Sequence, residues 1–188
     1  MTVAAVLVAP AAYSAPGGGA QVEHYLTRSA SVDGWVYDGN AYNYFSGQAY
    51  DDLNGVAQGQ VYSQSYDYNT YTYGYIGCSG PAYADAVSVA VNSNSSSVNA
   101  MLDPASPDCY SYNVPEPITV TADGQFDGNY ASSSNGNRKE TSYGTSYKSN
   151  YKDDYWTQTF SDADNGFYSG TFTGSASTSQ NNNRTKVK

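Results

Sequence analysis

"VYSQSYDYNTYTYGYIGC", residues 61–78, decides how this chain is read. Tyr62, Tyr66 and Tyr68 share one parity, and Tyr71, Tyr73 and Tyr75 share the other. Along one regular strand the two sets would face opposite sides of a sheet. A turn at Asp67–Thr70 removes the conflict, because Asp, Asn and Thr are turn formers and both arms can then present tyrosine to the same face. Thr70, Thr72, Gly74 and Ile76 fall opposite. The reading is a hairpin with one large aromatic face and one small face, and cross-strand aromatic pairs contribute ~0.2–1 kcal/mol each. Tyrosine can bury its ring and keep its hydroxyl wet, so most of these rings are expected in the core and at its boundary. The chain holds 21 tyrosines together with Trp35 and Trp156. That is more ring than an interior of this size takes, so some must be exposed.

The same alternation runs through the rest of the chain. "VSVAV" puts Val87, Val89 and Val91 on one face, "SNSS" offers a turn, and "VNAML" puts Val98, Ala100 and Leu102 on one face, which is a hairpin signal. "ITVTA" (118–122) reads as a strand ended by Asp123-Gly124, and "DNG" (164–166) reads as a turn. Residues 34–38, 40–50 and 56–66 read as earlier strands. Leu occurs only at positions 7, 26, 53 and 102, so no leucine-rich helical stripe can form. Tyr143, Tyr147, Tyr151 and Tyr155 stand four apart, a spacing that fits one helix face or one strand face. The intervening Gly, Ser, Thr and Asn are poor helix formers and favour the strand. The expected fold is all-β, an antiparallel β-sandwich, jelly-roll-like or an open barrel, with one disulfide.

Only 13% of residues are charged and the net charge is −9. The charge is uneven: up to residue 137 Arg28 is the lone Lys or Arg, and the remaining basic residues all follow. An acidic body argues against nucleic acid, which demands clustered cations. The basic C-terminal part raises head-to-tail association, its cations meeting the acidic body of another copy, against plain solubility. The segments 132–142 and 175–188 are expected to be the loosest.

"VAAVLVAPAA" followed by "AAYSA" resembles the apolar centre and cleavage region of a secretory signal, without its usual positive start; an apolar first strand is the alternative. Residues 1–20 are thus expected to be a leader or extension, 21–178 a β domain, and 179–188 a polar, basic tail. No apolar run reaches the length needed to span a bilayer. Cys78 and Cys109 fit export as a single disulfide.

Catalytic chemistry finds little support. His24 is the lone histidine, so any nucleophile–histidine pair would run through it. The adjacent acids Asp51/Asp52 and Asp153/Asp154 alternate across a strand rather than converge. Two cysteines and one histidine without metal-site spacing make no zinc centre. "DADNG" (162–166) lacks the spacing and distal Glu of a calcium loop. No catalytic, metal or cofactor residue is assigned. The candidate binding aromatics are Trp35, Tyr71, Tyr73, Tyr75, Tyr151, Tyr155 and Trp156, with Trp156 beside Tyr155 or Tyr151 as a row of exposed rings for a sugar. The functional expectation is a secreted or cell-surface, non-catalytic structural or adhesive protein, with a self-assembling fibre or matrix subunit as one form of it. Its partners would be its own copies or other extracellular proteins. The alternative is a glycan-binding module.

Overall fold

The computed structural model describes the backbone of residues 21–51, 57–130, 134–142 and 145–187 and the side chains of 27–51, 57–126 and 152–181. The expected leader lies outside the described residues. Among the described residues eleven strands form one antiparallel sheet: β1 (Gln21–Tyr37), β2 (Ala41–Asp51), β3 (Ala57–Asp67), β4 (Thr72–Gly80), β5 (Val87–Ala90), β6 (Ser95–Leu102), β7 (Cys109–Tyr112), β8 (Ile118–Tyr130), β9 (Ser134–Ser142), β10 (Thr145–Asp164) and β11 (Ser169–Val187). Among the described residues the remaining regular elements are two short 3-10 turns, Pro81–Ala86 and Val91–Ser93. The fold is all-β and antiparallel, as the alternation requires. Its form is a single curled sheet, nearer the open barrel than two separate layers.

The spatial order is β5-β6-β8-β10-β11-β1-β2-β3-β4-β7, with β9 beside β10. The two sequence-distant strands β1 and β11 form the centre, paired from Gln21↔Val187 to Trp35↔Thr173. β8 and β9 pair with successive parts of the same edge of β10.

Glycine lets the sheet curl. Gly34 of β1 pairs directly with Gly174 of β11. A Cβ on Gly34 would stand 2.3 Å from the Phe45 ring, and one on Gly174 would stand 2.0 Å from the Asp33 carbonyl oxygen. The gap left by the missing side chains takes Phe45, whose ring meets Phe160 and Phe172 edge-on at 5.5 and 5.2 Å. Farther round, Gly47 of β2 receives the Val87 and Val98 side chains of β5 and β6, closing the far wall onto the near one. Val32, Val61, Ile76, Leu102 and Val120 complete a core shielded from water.

Cys78 and Cys109 are bonded, linking β4 to β7 across 31 residues. The tyrosine hairpin forms as expected: Asp67 accepts from the amides of Asn69 and Thr70 at 2.7 and 3.0 Å, and Tyr66 faces Tyr73 across the ladder. The valine hairpin also forms, with Val87 opposite Val98. Two local expectations change. Asp123-Gly124 does not end β8, which continues to Tyr130. Gly124 is buried there because the Gln158 and Phe160 side chains occupy the space of its absent Cβ. The segments expected to be loose are strands: 134–142 is β9, and 175–187 continues β11 in register with β1 and β10. Their Asn content predicts weak strand propensity, but antiparallel pairing, with β10 for β9 and with both β1 and β10 for β11, overrides it.

Candidate functional site

Strand alternation sorts the tyrosines of β2, β3 and β4 to the outside of the curl. On β2 through β4, Phe45, Val61 and Ile76 turn inward, and the residues between them turn outward. Cross-strand register then aligns the outward residues in rows. One row runs Trp35–Tyr44–Gln64–Tyr75–Tyr112 over β1, β2, β3, β4 and β7. The next runs Tyr37–Tyr42–Tyr66–Tyr73.

The rings in these rows touch. Tyr42 stacks on Tyr44 with planes 16° apart, and Tyr44 meets Tyr62 at 5.4 Å. Tyr62 meets Tyr75 at 6.1 Å, and Tyr75 stacks beside Tyr73 at 17°. Tyr73 and Tyr75 in turn reach Tyr112 and Tyr110 on β7. The face is a continuous sheet of rings. Each aromatic pair contributes ~0.5–1.5 kcal/mol beyond the area it buries, so the face is stiff as well as broad.

Hydroxyls run along it. Tyr62 donates to the Tyr44 hydroxyl at 3.3 Å, and Tyr44 donates to the Asp33 carboxylate at 2.9 Å. Tyr73 donates to Gln64 at 3.2 Å. Burial of the ring, then the Tyr62 hydrogen bond and the Asp33 charge, push the Tyr44 phenol far above its usual value. Burial also raises Tyr42, Tyr73 and Tyr75. These phenols stay neutral at any physiological pH. They present hydroxyls for hydrogen bonding and flat ring surface.

Among the candidate aromatics, Trp35, Tyr73 and Tyr75 belong to this face. Tyr71 sits in the β3–β4 turn with a left-handed φ of 54° and is 78% exposed. Tyr155 lies outward and is exposed on β10, opposite Ser177 and away from the ring chain. Trp156 is a correction: it is 5% exposed and stacks inside on Phe126 at 4.7 Å. It follows Tyr155 directly, so the two must point to opposite faces and cannot form one row. The side chain of Tyr151 lies outside those described. Tyr110 and Tyr112, 72% and 55% exposed, were not singled out from sequence. The "CYSY" alternation at 109–112 was the available signal.

Two shallow depressions lie elsewhere, of ≈ 210 and ≈ 360 Å³; one is lined by Asp123 and the other by Asp85 as their single carboxylates. Among the described residues no three His, Cys, Asp or Glu side chains gather closely enough to hold a metal ion. No helix of the described residues is long and apolar enough to cross a membrane. Compared with protein-family models, curated proteins and solved structures, the chain matches none.

Proposed function

We propose that this is a secreted, non-catalytic extracellular protein that acts by surface contact, as a structural or adhesive component. The observation that carries the reading is the continuous outer face of touching tyrosines over β2, β3, β4 and β7. Stiff tyrosine surfaces give large amphipathic contact area at small entropy cost, which is why Tyr is favoured where proteins bind. Burial holds the Tyr42, Tyr44, Tyr73 and Tyr75 phenols neutral, so they offer ring surface and hydroxyls without phenolate charge. The disulfide supports an oxidising location. Surface attachment tests the reading. Purified protein is applied to the producing cells and bound protein is counted by immunofluorescence. Tyr73→Ser, Tyr75→Ser and Tyr112→Ser combined should lower binding at least tenfold (about 1.4 kcal/mol or more). Undiminished binding would remove the proposal.

The parallel rings of Tyr73 and Tyr75, with Gln64 hydrogen-bonded beside them, favour a second reading as a glycan-binding module. A glycan array separates the two, since specific binding lost on Tyr75→Ala supports the sugar reading alone.

A further inference from the structure

The register of the long strands sorts the positive charge. Among the described residues β1 pairs with β2 only from Ser29 onward, and β10 pairs with β8 only from Trp156 onward. The remaining length of β1, β10 and β11, with β9, forms a four-stranded blade projecting from one end of the curl. At about 3.3 Å per residue its eight-residue reach along β1 is roughly 26 Å. The blade carries every Lys and Arg of the chain except Lys188, seven cations against four acids, Glu23, Glu140, Asp153 and Asp154. The body between carries the other acids and no Lys or Arg.

Those cations also share a face. His24, Arg184, Lys148 and Lys139 stand in one cross-strand row. Arg28 and Lys152 fall on the same face four residues along their own strands, and Lys186 falls there two residues along β11. Only Arg138 takes the other face. Lys152, paired to the buried Asp154, stands where the blade meets the core.

The opposite end of the same strands is acidic. The β1–β2, β3–β4 and β10–β11 turns lie there, carrying Asp38, Asp67 and Asp164 with the exposed rings of Tyr37, Tyr68 and Tyr71. Tyr68 donates its amide to the Asn40 carbonyl at 2.9 Å and Asn69 donates to the Asn40 side chain at 2.9 Å, so the first two turns are stitched together. Asp38 and Asp67 repel one another across that seam, and backbone amides nonetheless hold both carboxylates ionised below their usual range. A cation from outside relieves the repulsion.

We infer that copies of this chain associate head to tail, the basic face of the blade on one copy docking on the acidic turn end of the next. The inference rests on the contact reading above and names a partner for it, a second copy. Two different ends of one molecule form a heterologous contact, which propagates into filaments unless the rotation closes a ring.

Sedimentation velocity tests it. At about 50 mM NaCl the protein should form a concentration-dependent series of oligomers that dissociates at about 500 mM, where exposed charges are screened. A blade variant, Lys139→Glu with Lys148→Glu and Arg184→Glu, should self-associate at least tenfold more weakly. A tip variant, Asp38→Asn with Asp67→Asn, should do the same. Mixed, each contributes its one intact end and the two should form a one-to-one dimer that grows no further. Far-UV circular dichroism checks that each is folded, and Lys148→Gln with Arg184→Gln replaces the blade variant if charge reversal unfolds it. A monomeric wild type at low salt, a blade variant that assembles like wild type, or a mixture that stays monomeric overturns the inference. So does a monomer that associates only after alginate is added, which would assign the blade to an anionic polysaccharide. Cell-surface binding by a monomeric protein would leave the tyrosine-face reading standing while this inference falls. Assembly without surface binding would do the reverse.

Discussion

The Ser63 hydroxyl of β3 donates to the backbone carbonyl of Asn165 in the β10–β11 turn, joining residues 102 apart in sequence. Asn165 is fully buried there. Its side-chain nitrogen donates to the Tyr44 and Gln64 carbonyls at 3.2 Å each, and its side-chain oxygen accepts from the amides of Phe167 and Tyr168. One asparagine thus shapes its own turn and fastens it beneath the tyrosine strands.

Asn165→Ala should therefore be among the most destabilising polar substitutions in the chain. It leaves two carbonyls and two amides without their partner in a buried place, at a cost of about 2–4 kcal/mol. For a chain of this size that lowers the thermal midpoint by roughly 4–16 °C. Thermal melting followed by circular dichroism measures it, and a change under a degree would show that the turn is not fastened this way.

Gly174→Ala should fail for a different reason. The added methyl would lie 2.0 Å from the Asp33 carbonyl oxygen and 2.6 Å from the Phe160 ring. Backbone cannot step aside as a side-chain tip can, so β1 and β11 must separate. The expected loss is about 1–3 kcal/mol, typical of overpacking, read as a lower urea midpoint. An unchanged midpoint would contradict the close approach.

Removing the Cys78–Cys109 bond by replacing both cysteines with Ser should cost about 3.5 kcal/mol on the chain-entropy account. The bond lies between paired residues of β4 and β7, and Tyr110 and Tyr112 of β7 carry the end of the ring chain. The loss should therefore be accompanied by weaker surface binding. Counting thiols in the denatured, unreduced wild type should find none.

Alkaline stability should follow the tyrosines. The folded-state pKa of Tyr44, Tyr42, Tyr73, Tyr75 and Tyr83 is raised, chiefly by burial. Above about pH 10, the ordinary phenol value, the unfolded chain loses these protons first and the folded chain retains them. Stability is then fully present below pH 10 and falls as pH rises past it. Absorbance at about 295 nm should show a fraction of the phenols titrating late until the protein unfolds. Tyr44→Phe should flatten the decline, and a decline no shallower than wild type would disprove the role of Tyr44.

Much of the fold was legible because period-two alternation is a local signal. The tyrosine and valine hairpins and the extended reading of 145–156 follow from residues close in the chain, and the cysteine pairing follows from there being two cysteines. Local alternation also implies that Tyr155 and Trp156 part to opposite faces. Which of them meets the interior was not legible, because that depends on Phe126, thirty residues away. That the tyrosines share a face was legible strand by strand; that this face turns outward was not, since most of the rings were expected in the core and at its boundary and no described tyrosine is among the buried core residues. The extension of the face to Tyr110 and Tyr112 was not legible either, since β7 joins β4 through a long-range pairing.

The amino-acid sequence by itself determined that the chain is made of strands, where tyrosine rings crowd, that Cys78 and Cys109 are the available pair, and that cations collect late in the chain. Those properties belong to neighbours in sequence, and turn chemistry and alternation express them without further context. Only the tertiary structure decided that β1 lies against β11, that the Gly34–Gly174 pair opens space for Phe45, and that His24, Arg184, Lys148 and Lys139 stand in one row. Strand pairing between distant segments is set by how the whole sheet curls to bury its apolar face, and no stretch of the chain carries that information alone.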